Sequence, residues 1–269
     1  MRTVGIPLAA LLVAALVAQA QPPAFPGVPP AQPAADPVLD GHLGQWATVM
    51  SKATNFSAKF EQTKVEATFK KERKYTGSIL CMKPNDPKLS LFARMNLANV
   101  KDKNDFEAYI CNGKSLFHYD WAGKTVTEIP LAQGNGDSLM LEFMSGMKAA
   151  AVKQRFHLTQ FNPADKNYVY FDIKPKLQND QQEFAHIRLA VFGPNVPPPF
   201  IPYLPAQIFR VMPNDDTESW KFSEQAVDVK GIGPEVFQYK APEEKGWQFK
   251  KAPLAPMGPT VPAKGAVRP

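Results

Sequence analysis

The sequence predicts an α+β domain built on one strongly curved antiparallel sheet of about ten or eleven strands, with two or three helices packed against it. Three observations carry this expectation. A single amphipathic helical segment opens the folded region, and apolar residues then alternate with polar ones along most of the rest of the chain. Turn residues recur between the alternating runs, so neighbouring strands join by short hairpins. The crossover helices that a parallel sheet needs are too few.

Before the first helix come two segments outside the fold. Met1-Arg2, the apolar stretch Val4 to Val17 and the small-x-small triplet Ala18-Gln19-Ala20 read as a signal peptide over residues 1–20. As a helix its 14 apolar residues reach about 21 Å, short of the roughly 30 Å of a bilayer core, so cleavage near Ala20 is expected rather than anchoring. Residues 21–37 hold seven prolines in seventeen positions and read as a polyproline linker. The tail, residues 252–269, has five more prolines and reads as disordered. One domain, residues 38–251, lies between them.

Asp36 followed by Pro37 is a cap and first-turn pair, and Leu39, Leu43, Trp46 and Met50 then recur at helical spacing. Phe56, Ala58 and Phe60 begin the alternation, continued by Leu89 to Leu97 and by Phe106, Ala108 and Ile110. Asn112-Gly113 between two apolar runs is a hairpin signal, and Asp120 to Gly123 opens another turn. Asp137 can cap a helix or helix pair carrying Leu139, Met140, Phe143, Met144 and Met147 and continuing to Arg155. Strands resume at 155–161, 168–173, 184–192, 206–212 and 219–229.

Composition excludes several functions. The 269 residues carry 31 Lys+Arg against 25 Asp+Glu, and no basic run is interleaved with aromatics, so no nucleic acid partner is expected. Two cysteines cannot form a disulfide scaffold or a four-thiolate metal site. Cys81 and Cys111 fall on strands separated by a third, about 9.5 Å apart and beyond bridging distance, so two buried free thiols are expected; if the intervening run instead leaves the sheet, the two strands become neighbours and a disulfide can form. The four histidines lie on separate elements without metal-ligand spacing, and no phosphate or dinucleotide loop appears, so no metal and no cofactor are expected. Gly136-Asp137-Ser138-Leu139 spells an esterase nucleophile string, but no Asp-x-x-His pair accompanies it. It reads as a helix cap, and no catalytic residue is assigned. The basic run Lys70 to Lys74 reads as a solvated turn between the first two strands, or as a docking patch for an anionic partner.

The methionine cluster is either ordinary core or the lining of a cavity that accepts flexible chains. A curved sheet incompletely filled by a helix leaves a concave apolar site, where each buried methylene of a lipid tail gains about 0.8 kcal/mol.

The order of parts resembles the LolA/LolB lipoprotein-carrier superfamily. The resemblance runs through Asn55 to Gln62, Gly77 to Pro84, Ile110 to Tyr119, Leu204 to Ile208, Trp220 to Val229 and Val236 to Pro242 followed by Gly246, spanning about Leu39 to Lys251. The Pro-rich flanks resemble an exported branch of that superfamily described in planctomycetes. The resemblance implies a half-barrel of about eleven strands, its concave face capped by helices, that moves the acyl chains of lipoproteins between membranes. It further implies an arginine before the proline of the second strand that latches the lid, and here that position is Lys83. Lysine is a point charge rather than a two-pronged donor, so closure need not work alike.

Together these readings describe an exported, periplasmic, monomeric and non-enzymatic carrier of lipoprotein acyl chains or lipid, soluble after cleavage, with membrane-associated donor and acceptor proteins as partners. An envelope sensor or protein-interaction module on the same scaffold is the alternative. The expected cavity residues are Phe60, Ile79, Leu91, Met95, Ile110 and Phe117 from the sheet and Met140, Phe143, Met144 and Met147 from the covering helix, with Lys83 as lid contact. At Ile79 the neighbours Leu80 and Met82 are equally apolar, and a slip of one residue exchanges the faces.

Overall fold

The alternation that begins at Asn55 resolves into one twelve-stranded sheet. A computed structural model describes residues 36–86, 89, 91–102, 104–131, 149–161 and 165–252. The strands are β1 (Asn55–Glu66), β2 (Lys71–Met82), β3 (Phe92–Asn99), β4 (Phe106–Asn112), β5 (Ser115–Asp120), β6 (Thr125–Pro130), β7 (Phe156–Phe161), β8 (Tyr168–Pro175), β9 (His186–Phe192), β10 (Pro205–Val211), β11 (Thr217–Val227) and β12 (Gln248–Lys251). Their order across the sheet is β12, β6, β5, β4, β3, β2, β1, β11, β10, β9, β8, β7. Neighbours run antiparallel except β12, which lies parallel to β6. The antiparallel β1–β11 pair joins the early strands to the late ones.

The sheet is curved and unclosed. Strands β5 and β10 stand six steps apart in that order, a distance of about 29 Å if the sheet were flat. Leu116 of β5 and Arg210 of β10 nevertheless line one cavity, which requires the sheet to bend round it. Bulges between Ser57 and Lys59 in β1 and between Pro205 and Gln207 in β10 contribute to the bend.

Three α-helices are described: α1 (Pro37–Lys52), α2 (Ala149–Arg155) and α3 (Gln178–Glu183). Helix α1 begins where the sequence places it. The Asp36 carboxylate accepts from the Val38 and Leu39 amides, both at 3.1 Å, and Pro37 takes the first turn. Its stripe Leu39, Leu43, Trp46 and Met50 is buried against the concave face, with the Trp46 ring stacked on Phe171 of β8 at 5.9 Å. Between α2 and α3, Arg155 grips the buried Asp180 carboxylate through Nε at 2.7 Å and Nη2 at 2.6 Å.

Gly77 lies opposite Phe60 in the β1–β2 register. A Cβ there would stand 2.5 Å from the Phe60 ring and 2.0 Å from the Asn96 carbonyl oxygen, so only glycine lets the ring lie across β2. The predicted Asn112-Gly113 hairpin is present: Gly113 has φ 83°, and the Asn112 side chain accepts from the Lys114 and Ser115 amides.

Two features of the early strands depart from the sequence reading. Lys71 to Lys74 belong to β2 rather than to a turn, and two of the run's cations are paired, Arg73 with Glu66 and Lys74 with Glu72. Ile110 and Phe117 lie on the convex face, whereas Tyr109, Cys111 and Leu116 share the concave core. The reason is a C-terminal strap that covers this part of the convex face. Phe237 stacks on Phe92 at 5.7 Å and Tyr239 on Phe117 at 4.9 Å, while the Tyr119 hydroxyl donates to the Lys240 carbonyl and accepts from the Lys240 amide. Both faces of β4 and β5 are therefore apolar, and the alternation loses its sign. Cys81 and Cys111 are free and buried, each opposite Ala93 in register. The string Gly136 to Leu139 and the methionine cluster lie outside the described residues.

Candidate ligand cavity

Inward residues of seven strands enclose a cavity of about 290 Å³. Its apolar wall is Ile79 of β2, Ala93, Met95 and Leu97 of β3, Leu116 of β5 and Trp220 of β11. These positions follow from register: Ile79 pairs with Met95 and Met95 with Tyr109, so their side chains share one face. Gln62 and Lys64 of β1, Tyr109 of β4, Arg210 of β10 and Glu218 of β11 complete the lining.

The lining is graded from apolar to charged. Along β1 the inward residues run Phe60, Gln62, Lys64; along β11, in the opposite chain direction, they run Phe222, Trp220, Glu218. At the charged end, Arg210 Nη2 donates to Glu218 Oε2 at 2.6 Å. The Tyr109 hydroxyl donates to Glu107 Oε2 at 2.5 Å, and His118 Nε2 lies 3.3 Å from the same oxygen with its ring stacked on Tyr109. The nearby His118 ring nitrogen, ahead of the bond from Tyr109, holds the Glu107 carboxyl down at about 2 against the opposing effect of burial. Burial first, then the bond to Glu107, pushes the Tyr109 phenol up. A wider polar hollow of about 520 Å³ adjoins this end, sharing Lys64 and Glu218 with the cavity and continuing to Glu66, Arg73 and Asp216.

The expected site residues separate into five groups. Ile79 and Met95 line the cavity. Phe60 stands behind it, its ring 4.9 Å from that of Trp220. Leu91 borders a separate small crevice with Met50, Phe56 and Lys83 at the end of α1. Ile110 and Phe117 face the strap, and Met140, Phe143, Met144 and Met147 lie outside the described residues. Lys83 Nζ donates to the carbonyls of Met50 and, at 2.8 Å, Ser51, and so holds the last turn of α1 to the end of β2. Desolvation there lowers its ammonium pKa. The sequence reading missed the polar and aromatic lining of Gln62, Lys64, Tyr109, Arg210, Glu218 and Trp220, and the apolar Ala93, Leu97 and Leu116. Continuing the Phe56, Ala58, Phe60 alternation by two steps reaches Gln62 and Lys64, and that was the available signal.

Among the described residues no group of three His, Cys, Asp or Glu side chains could hold a metal ion, and no helix is long and apolar enough to cross a membrane. Residues 51–194, just over half of the chain, match the family model described as outer membrane lipoprotein carrier protein LolA. The chain belongs to the LolA family. Comparison with curated proteins returns no match. Similar solved structures include a DUF1329 family protein from Desulfovibrio piger, with 10% identity over 76% of this chain and 98% of that one and a TM-score of 0.43. LprF from Mycobacterium bovis shows 11% identity over 74% and 98%, with a TM-score of 0.40. A LolA superfamily protein from Nitrosomonas europaea shows 9% identity over 74% and 97%, with a TM-score of 0.37. LolA family membership accords with a lipid or lipoprotein carrier-like role.

Proposed function

We propose that the protein is an exported, periplasmic, non-enzymatic carrier that shields acyl chains of lipoproteins or lipids in the concave cavity and moves them between membranes. The observation that carries this reading is the cavity itself: an apolar wall of Ile79, Met95, Leu97, Leu116 and Trp220 opening toward a charged end. Its volume of about 290 Å³ is at the lower edge of the roughly 300–1,000 Å³ typical of ligand pockets, and the polar hollow extends it. Ten methylenes buried there gain on the order of 8 kcal/mol, enough for micromolar binding before the costs of association are subtracted.

In this reading Ile79 and Met95 contact the chain, and Lys83 acts as lid contact by holding α1. Phe60 backs the wall. Met140, Phe143, Met144 and Met147 remain candidate lining from the covering segment. Donor and acceptor proteins at the two membranes would load and empty a monomeric carrier.

The test is extraction of the purified exported chain followed by lipid mass spectrometry, together with binding of a fluorescent fatty acid. Acyl material near stoichiometry and saturable binding are expected. Met95→Glu places an unpaired charge in the wall and should abolish binding with the circular dichroism spectrum retained. A protein that is empty and does not bind would overturn the carrier and favour the interaction module.

A further inference from the structure

Four polar side chains are buried among the described residues, and three are satisfied. Asn55 donates to the Val229 carbonyl and accepts from the Val229 amide, Ser115 donates to Glu128, and Asp180 is gripped by Arg155. Gln62 is the exception. It is 2% exposed, and its Oε1 has no hydrogen-bond partner among the described residues. Directly opposite it in the β1–β11 register stands Trp220, 5% exposed, whose indole Nε1 likewise has no partner. Both side chains line the same cavity.

A buried amide oxygen and a buried indole N–H are left without partners only at a cost, and native interiors seldom tolerate one such group without a reason. Here an unfilled acceptor and an unfilled donor lie on adjacent strands, where opposed side chains start about 5 Å apart. They also mark the step between the apolar wall and the charged end, with Phe60 and Phe222 on one side and Lys64 and Glu218 on the other. The ligand that fits has a hydrocarbon tail, a linkage offering one N–H and one carbonyl, and a polar head beyond it.

We infer that Gln62 and Trp220 form an internal station for the amide linkage of an N-acylated ligand, the amide N–H donating to Gln62 Oε1 and the amide carbonyl accepting from Trp220 Nε1. This rests on the carrier reading and narrows its cargo class. A plain fatty acid carries its carboxylate where the station requires a neutral donor, and an ester offers no N–H, so each leaves the Gln62 oxygen unpaired.

The test uses the full exported chain and competition against a fluorescent fatty acid. The probes are N-palmitoylglycine, its ester counterpart palmitoyl glycolate in which only the NH is replaced by oxygen, palmitate, and a hexapeptide N-palmitoylated at its terminus. N-palmitoylglycine should bind about tenfold or more tightly than the glycolate ester, the effect of one buried hydrogen bond. Gln62→Met should erase that ratio and raise the melting temperature of the empty protein, because an unpaired buried amide has been removed. Trp220→Phe should weaken amide and ester alike, since both accept from the indole. Acylated hexapeptide binding at least as tightly as N-palmitoylglycine identifies acylated protein as the source; tighter binding of N-palmitoylglycine identifies an N-acyl amino acid lipid. Equal affinity for amide, ester and palmitate overturns the station and leaves the carrier standing. Failure of every probe overturns the carrier itself.

Discussion

Over β8, β9 and β10 the inward residues Phe171, Ile173, Leu189 and Ile208 are at most 1% exposed, with Trp46 of α1 stacked on Phe171. Over β3, β4 and β5 the inward residues Met95, Tyr109 and Leu116 stay half-buried around a cavity. Both regions alternate apolar-in along their strands, so residue type does not distinguish them. The difference is what α1 supplies. The helix has 16 residues, about 24 Å of length and 10–12 Å of width, against a twelve-stranded sheet that would unroll to about 53 Å. Where its knobs Leu43 and Trp46 reach, the face becomes a core. Where they do not, the same pattern lines a site.

The largest expected effect separates these regions by stability. Trp46→Ala should cost about 3–5 kcal/mol, because the surrounding core cannot collapse into the space left. Met95→Ala borders a cavity already and should cost no more than about 1 kcal/mol while weakening acyl binding. Urea unfolding midpoints decide the matter, and equal losses would show that the early strands carry a dry core as well.

Next in size is Gly77→Ala, at the seam between wall and core. Its new methyl meets the Phe60 ring and, closer, the Asn96 carbonyl oxygen of the β2–β3 ladder. Overpacking of this kind costs about 1–3 kcal/mol, with the backbone contact placing it at the upper end. Adding Phe60→Leu should recover part of the loss, because only the ring contact is relieved. Complete recovery would mean that the strand, not the ring, yields.

How much of this contrast was legible follows from the residues. The Asp36-Pro37 cap, the Leu39 to Met50 stripe and the Asn112-Gly113 turn are local signals, and each element forms where its chemistry demands. Ile110 and Phe117 were misread because their strands are apolar on both sides, Cys111 and Leu116 being the inward neighbours. Only the distant strap through Phe237 and Tyr239 explains why the convex face needs apolar residues there. Strand β12 has four exposed residues and pairs in parallel, so neither burial nor a hairpin announces it. Gln62 carries the polar point of the cavity, yet a single glutamine in a strand looks like any outward residue until its register with Trp220 is known.

A smaller effect concerns the charged end of the cavity. The folded Glu107 carboxyl sits at about 2, below its ordinary 4.5, so its contribution to stability is complete above about pH 4.5 and is lost as pH falls toward 2. Partial solvent screening holds that contribution to about 1 kcal/mol. Glu107→Gln should flatten the acid limb of a stability-against-pH curve by that amount. An unchanged acid limb would remove the electrostatic part of the contrast.

The smallest effect locates the boundary between the two regimes at the apolar end. Cys81 and Cys111 both face Ala93, a cavity-wall residue, from the strands on either side. Burial pushes the Cys81 thiol up to about 12 and the Cys111 thiol in the same direction, so almost no thiolate is present at pH 8. Two steps across the sheet separate their backbones by about 9.5 Å, beyond a disulfide's reach. Intact mass under non-reducing conditions should therefore give two free thiols, and an aromatic disulfide reagent at pH 8 should label them only at the rate of unfolding. Labelling that is fast in the native protein, and slowed by a bound acyl chain, would extend the cavity past Ala93 to the foot of α1. In that case the region around Met50 and Leu91 would join the site rather than the core.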